Sequence, residues 1–256
     1  MLPSIFVGHG APTIIWDENP FTDFLKRYGQ TMIRPKGIII FSAHWEAPMQ
    51  SIGCAPQFEM IYDFYGFPQE LYRVKYPAYG DASLAQKVLD LLAGQQIVGR
   101  LDPYRGIDHG AWTMLQLLYP QWDIPVVTMS VNPNLHPSEH YRIGASLGPL
   151  KEQDYLIICS GGIVHNLGQI KFGARVADPW AREFDQWIQE KIEAWDLKAL
   201  FDYAHSAPHS RQAVPRSEHF LNLLIALGTG DVQRQARLLQ SIIQYGNLSL
   251  DLWEFA

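Results

Sequence analysis

Only two cysteines, Cys54 and Cys159, occur in the 256 residues. Far apart and without a second pair, they provide neither a disulfide framework nor a Cys-x-x-Cys metal or redox motif, so free buried thiols in a reducing compartment are expected. No apolar run approaches the roughly 18 residues needed to span a bilayer. The Met-Leu-Pro start carries no basic segment followed by an apolar stretch, so no secretory signal and no membrane association are expected, and the cytoplasm is the default location. Lysine and arginine form no run and the formal net charge is −6. The electrostatic footprint of a nucleic-acid binder is therefore missing, and a small molecule is the expected partner. Familiar chemical motifs are absent as well: there is no His-Glu-x-x-His helix, and no Gly-x-Ser-x-Gly follows a strand to make a nucleophile elbow. A dinucleotide loop fails because Gly8-His9-Gly10-Ala11-Pro12 puts a proline where a helix should continue.

What is present is an apolar fraction of 47% with 18% charged residues, the balance of an ordinary globular enzyme rather than a disordered chain. Three apolar, β-prone runs end in small residues and a histidine. Ser4-Ile5-Phe6-Val7 runs into Gly8-His9-Gly10, Ile38 to Phe41 runs through Ser42-Ala43 to His44, and Tyr155 to Ser160 runs through Gly161-Gly162 to His165. A fourth strand is expected over Ile124–Ser130. Helical spacing marks segments after Asn19-Pro20, over Ala82–Ala93, Thr113–Leu118, Pro137–Leu147 and Asp178–Trp195, and from Ser217 to Leu227. The tail from Ser241 to Phe255, with a Tyr245-Gly246-Asn247 turn, suits antiparallel edge strands. The segment up to His44 reads as a βαβ unit with parallel strands and a right-handed crossover. Alternation of strands and helices without repeats or Gly/Ser linkers predicts one α/β domain over residues 1–256. Its central sheet is mostly parallel and flanked by helices, with the active site at the C-terminal ends of the strands.

Nine histidines are present. His9, His44 and His165 terminate strands and His109 and His219 open helices, whereas His136, His140, His205 and His209 are expected in polar loops or on surface helix. A single histidine is more often a hydrogen-bonded structural group than a ligand. Strands of one parallel sheet, however, deliver their C-terminal ends to one crevice, and imidazole suits both Fe2+ and Zn2+. Glu46 and Glu218 are the nearest carboxylates, equally suited to supporting, capping or ligating. Between Gln57 and Tyr79 the chain is rich in aromatics (Tyr62, Phe64, Tyr65, Phe67, Tyr72, Tyr76), fit either to cover the core or to line a pocket.

Seven blocks in order carry a family resemblance: Gly8-His9-Gly10-Ala11-Pro12, Ser42-Ala43-His44-Trp45-Glu46, Ile61 to Pro68, Leu71-Tyr72 with Tyr76-Pro77-Ala78, Asp108-His109-Gly110-Ala111-Trp112, Gly161 to Gly168, and Glu218-His219-Phe220-Leu221. Together they resemble the extradiol aromatic ring-opening dioxygenases of the DOPA-dioxygenase type, related to the catalytic subunit of protocatechuate 4,5-dioxygenase. The resemblance implies an oxidoreductase that opens a catechol-type ring with O2. It implies metal binding by His9 and His44 with His219, rather than Glu218, as third ligand, His165 as acid/base or a fourth ligand, and His109 as a pocket histidine. Fe2+ is the implied active metal and Zn2+ an alternative occupant; a monomer or a homodimer is compatible. Ala11, Tyr79 and Asn222 depart from the family pattern, and Tyr79 and Asn222 are expected at the pocket rim, where they would bear on substrate choice. Two other readings are a zinc hydrolase using the same histidines to activate water and a non-catalytic metal-binding relative.

Overall fold

The structure, a computed structural model, describes all residues from Met1 to Ala256. Strands β1 (Ser4–Gly8), β2 (Gly37–Glu46), β3 (Gln50–Gly53), β4 (Gly99–Asp102), β5 (Val126–Val131), β6 (Tyr155–Gly161), β7 (Ala236–Gln244) and β8 (Leu248–Phe255) form one eight-stranded sheet in the order β4-β3-β5-β2-β6-β1-β8-β7. Its centre is parallel: β5, β2, β6 and β1 pair in the same direction, whereas β3 runs antiparallel to β5, and β8 and β7 close the other side as an antiparallel hairpin. The expected β1–helix–β2 unit is present with parallel strands, but β6 is inserted between them, so the crossover skips one strand.

The central runs are apolar at every position because both faces are covered, as buried parallel strands require. Phe6, Ile39, Phe41, Val127, Ile157 and Cys159 face one layer, packed by helices α2 (Ala82–Gly94), α4 (Pro137–Leu147), α5 (Pro179–Glu193) and α9 (Glu218–Thr229). Ile5, Val7, Ile38, Ile40, Leu156 and Ile158 face the other, packed by α1 (Pro20–Thr31), α3 (His109–Leu118) and the aromatic loop. Three short helices, α6 (Leu197–Phe201), α7 (Tyr203–Ser206) and α8 (Ser210–Ala213), join α5 to α9. No helix is long and apolar enough to cross a membrane.

Helix α9 is buried along its whole length, which its all-round apolar sequence explains. It lies against α4 at glycine contacts: a Cβ on Gly144 would collide with the Ile225 carbonyl, and one on Gly228 with that of Tyr141. His140 lies one turn before Gly144 on α4. It is completely buried rather than on a polar surface, and burial pushes its imidazole down to about 4. Cys159 is buried as expected, whereas Cys54 is only partly so.

Candidate metal and substrate site

Five histidines meet at the C-terminal end of the sheet. His9 follows β1, His44 lies near the end of β2, His109 is the first residue of α3, His165 sits in the loop after β6, and His219 is in the first turn of α9. The β2–β5 register slips between Phe41 and Glu46, and such irregularities re-aim side chains next to sites. The ring centroids of His9 lie 5.0 Å from His44, 5.1 Å from His219 and 5.5 Å from His109, and those of His44 and His219 are 5.0 Å apart.

The hydrogen bonds behind these rings fix where their lone pairs point. Ser160 donates its hydroxyl to the Gly110 carbonyl, so its Oγ must accept from His9 Nδ1 at 2.9 Å, leaving Nε2 of His9 unprotonated. His44 Nδ1 lies 3.0 Å from a carboxylate oxygen of Asp63, and His219 Nδ1 3.2 Å from Oε1 of Glu218. A carboxylate only accepts, so both Nδ1 atoms carry a proton, and in the neutral imidazoles that a metal requires both Nε2 atoms carry the lone pair. His9 Nε2 and His44 Nε2 are 3.1 Å apart, and His219 Nε2 is buried without any partner. The ligand atoms of His9, His44 and His219 all lie within 4.8 Å of one another. Lone pairs facing each other in a dry site repel unless a proton or a metal ion stands between them, and the orphaned His219 Nε2 gives a metal a third partner that a shared proton would not use. The donor set therefore fits a divalent metal that prefers neutral nitrogen ligands. A second group, His44, Asp63 and His109, also converges, but its Nδ1 atoms are already engaged as donors to the carboxylate.

Electrostatics agree with this arrangement. Burial, and then the charges of neighbouring histidines, hold His9 and His219 well below the ordinary imidazole value, so both are neutral. His44 moves the other way: burial opposes its charge, but the Asp63 hydrogen bond and the fields of Asp108, Asp63 and Glu218 outweigh it. A field that favours a proton at this point favours a bound cation as well.

The carboxylates proposed from sequence sit behind the site. Glu218 is buried, with Oε1 3.2 Å from Arg216 Nε and equally close to His219 Nδ1. Glu46 pairs with Arg216 near the surface. His165 lies flat on His219, with ring centroids 3.6 Å apart and an 11° interplanar angle; its backbone N–H donates to the Ala213 carbonyl. Burial, and then the charges of His44 and His109, push His165 from the ordinary imidazole value down to about 3.

The aromatic segment divides. Phe64 meets His109 edge-on at 5.5 Å and packs on Tyr72 at 5.0 Å, whereas Tyr76 is buried in the core with its hydroxyl on the Tyr119 carbonyl, and Tyr65 is exposed. Neither departure expected at the rim lies there. The carbonyl of Tyr79 accepts from the N–H of Val126, where β5 begins, at the opposite end of the sheet from His44. Asn222 is fully buried and donates to the carbonyls of Ser160 and Glu218, tying α9 to the end of β6. Reasoning from sequence did not assign these roles to Asp63 or Ser160. Asp63 lies inside a block that carried the resemblance, but nothing in its spacing indicated that its carboxylate would reach two histidines.

Comparison with known proteins follows the same direction. Residues 9–249 match the family described as the catalytic LigB subunit of aromatic ring-opening dioxygenase. The chain is 36% identical over 256 residues to the 4,5-DOPA dioxygenase extradiol of Beta vulgaris, covering 98% of this chain and 96% of the relative. It is 32% identical to the Escherichia coli protein of the same name, covering 97% and 93%. An uncharacterized Escherichia coli K12 protein of known crystal structure superposes with a TM-score of 0.86 at 29% identity over the full length of both chains. The chain belongs to the LigB family of aromatic ring-opening dioxygenases.

Proposed function

We propose that the protein is a non-haem, metal-dependent extradiol dioxygenase that opens a catechol-type ring, DOPA-like in character, with O2. In this reading His9, His44 and His219 hold the ion through their Nε2 atoms. The observation that carries it is the set of three inward lone pairs, each fixed by a hydrogen bond on the far side of its ring. Bound Fe2+ would supply a redox-active Lewis acid with open positions for a catecholate and dioxygen, whereas Zn2+ on the same nitrogens would supply Lewis acidity alone.

The chain's own groups do the rest. His165 is neutral in the free site because burial and the neighbouring histidines oppose its charge; in this reading it takes a proton from a substrate hydroxyl as the resulting anion offsets that opposition, and later returns it. Its flat stack on His219 sets it beside the candidate ligands. His109 meets the substrate through Nε2, its Nδ1 being engaged by Asp63 at 2.7 Å. Phe64 and Tyr72 offer aromatic faces to the ring and exclude water from the pocket.

Oxygen uptake by the Fe2+-loaded protein across a panel of substituted catechols, DOPA included, is the test. Uptake matched by a yellow ring-opened product is expected, with none under Zn2+ alone. His165→Gln should abolish turnover and retain the metal. Turnover that persists without oxygen would replace this reading with a hydrolytic one, and absence of uptake with every catechol would refute it.

A further inference from the structure

We propose that Asp63 is the positioning residue of the site, a single carboxylate that holds His44 and His109 in the same tautomer and so sets what each presents to metal and to substrate. The proposal rests on the metal-site reading above. One oxygen of Asp63 lies 3.0 Å from His44 Nδ1; the other lies 2.7 Å from His109 Nδ1 and also accepts the backbone N–H of His109 at 3.2 Å. The two rings are only 4.0 Å apart between centroids. Because a carboxylate accepts and never donates, both Nδ1 atoms carry hydrogen, and in the neutral rings that meet metal and substrate both Nε2 atoms carry lone pairs. His44 thereby offers Nε2 to a metal. His109 offers an acceptor to the pocket, so the ligand group that meets it is an O–H or N–H donor rather than an ether or a carboxylate.

No neighbouring carboxylate duplicates this work. Asp108 is engaged by the Ser42 hydroxyl and by Arg105 at 3.0 Å, and Glu218 by Arg216 and His219. Asp63 comes from the aromatic loop, not from the sheet that carries His44. That loop is fastened on both sides of it, by the Tyr62 hydroxyl on the Val74 carbonyl at 2.6 Å and by Phe64 against His109. The hydrogen-bonding polarity of the sheet-borne ligand is therefore set by the segment that also lines the substrate pocket.

Asp63→Asn isolates this role, because an amide has one accepting and one donating end. It can hold only one imidazole with hydrogen on Nδ1 and must drive the other to the opposite tautomer. Long-range 1H–15N correlation spectra of protein labelled with 15N-histidine and loaded with Zn2+ read the tautomers directly, and competition with a chromophoric chelator reads Zn2+ affinity. In the wild type, hydrogen is expected on Nδ1 of both His44 and His109. In D63N one of the two should switch. If it is His44, Zn2+ affinity should fall about 10–100-fold; if it is His109, affinity should hold while kcat/KM for catechols falls. Unmoved tautomers in D63N with wild-type Zn2+ affinity would overturn the proposal. So would hydrogen on Nε2 of either ring in the wild type, a result that needs no variant to fold. A wild type that binds no Zn2+ would defeat the metal-site reading itself, and this role with it.

Discussion

Replacing Gly161 by alanine inserts a methyl group between the end of β6 and the start of α9. An added Cβ would sit well inside contact distance of the His219 carbonyl oxygen, 3.1 Å from the carbonyl carbon and 3.2 Å from Asn222 Cβ. Neither neighbour is a flexible tip. The first is helix backbone and the second is held by two hydrogen bonds, to Ser160 and Glu218. A carbon–oxygen contact does not close much below about 3 Å, so the first turn of α9 must move by about 1 Å. Overpacking of this kind costs about 1–3 kcal/mol, or a Tm fall of about 2–12 °C for a chain of this size. Because the displaced residue is His219, the larger effect is expected at the site, where about 1 Å of misplacement costs on the order of 100-fold in rate. Thermal unfolding, Zn2+ competition and oxygen uptake together measure this. Gly94→Ala is the control, since nothing lies within 4 Å of its added Cβ. A G161A protein with unchanged Tm, Zn2+ affinity and turnover would refute the claim that this contact positions His219.

Other outcomes follow from the same geometry. Gly144→Ala and Gly228→Ala should each lower stability by about 1–3 kcal/mol through the α4–α9 contact, read as a shifted denaturant midpoint at unchanged slope. Asp185 on α5 and Asp251 on β8 are both pushed above the ordinary carboxylate range, by burial first. The stability they contribute is thus fully present below the unfolded carboxylate value of about 3.9 and lost as pH rises through the raised folded values. Asp251→Asn should flatten the wild type's decline in Tm towards alkaline pH, and an unchanged decline would exclude the pair as its source. Stripping metal with a chelator should lower Tm and readdition of Zn2+ should restore it, by about 2.7 kcal/mol at a hundred times Kd. His44→Ala should abolish that response.

Much of this architecture is legible in the sequence. The runs at Ile38–Phe41 and Tyr155–Ser160 read as strands, and a parallel sheet gathers its C-terminal ends, so His9, His44 and His165 were expected near one another. The order of strands was less accessible: inserting β6 between β1 and β2 depends on packing across the whole chain. Strands β3 and β4 are four residues each and carry polar or small residues; their pairing is supplied by neighbours rather than by local preference. His140 misled because its surroundings in sequence are polar, whereas it is fully buried on α4, one turn before the glycine at which that helix meets α9. Above all, the proposal of His219 over Glu218 rests on atoms that only the fold arranges: Glu218 is engaged by Arg216 and by His219 Nδ1, whereas His219 Nε2 is buried without a partner. The part played by Asp63 belongs to the same class, because it exists only once the aromatic loop has folded onto the end of the sheet.

X-ray absorption at the zinc edge of the Zn2+-loaded protein tests the ligand set most directly. Three imidazole nitrogens at about 2.0–2.1 Å are expected, with one imidazole contribution lost in each of His9→Ala, His44→Ala and His219→Ala that retains metal. A shell dominated by carboxylate oxygen, or one that His219→Ala leaves unchanged, would contradict the three-histidine centre.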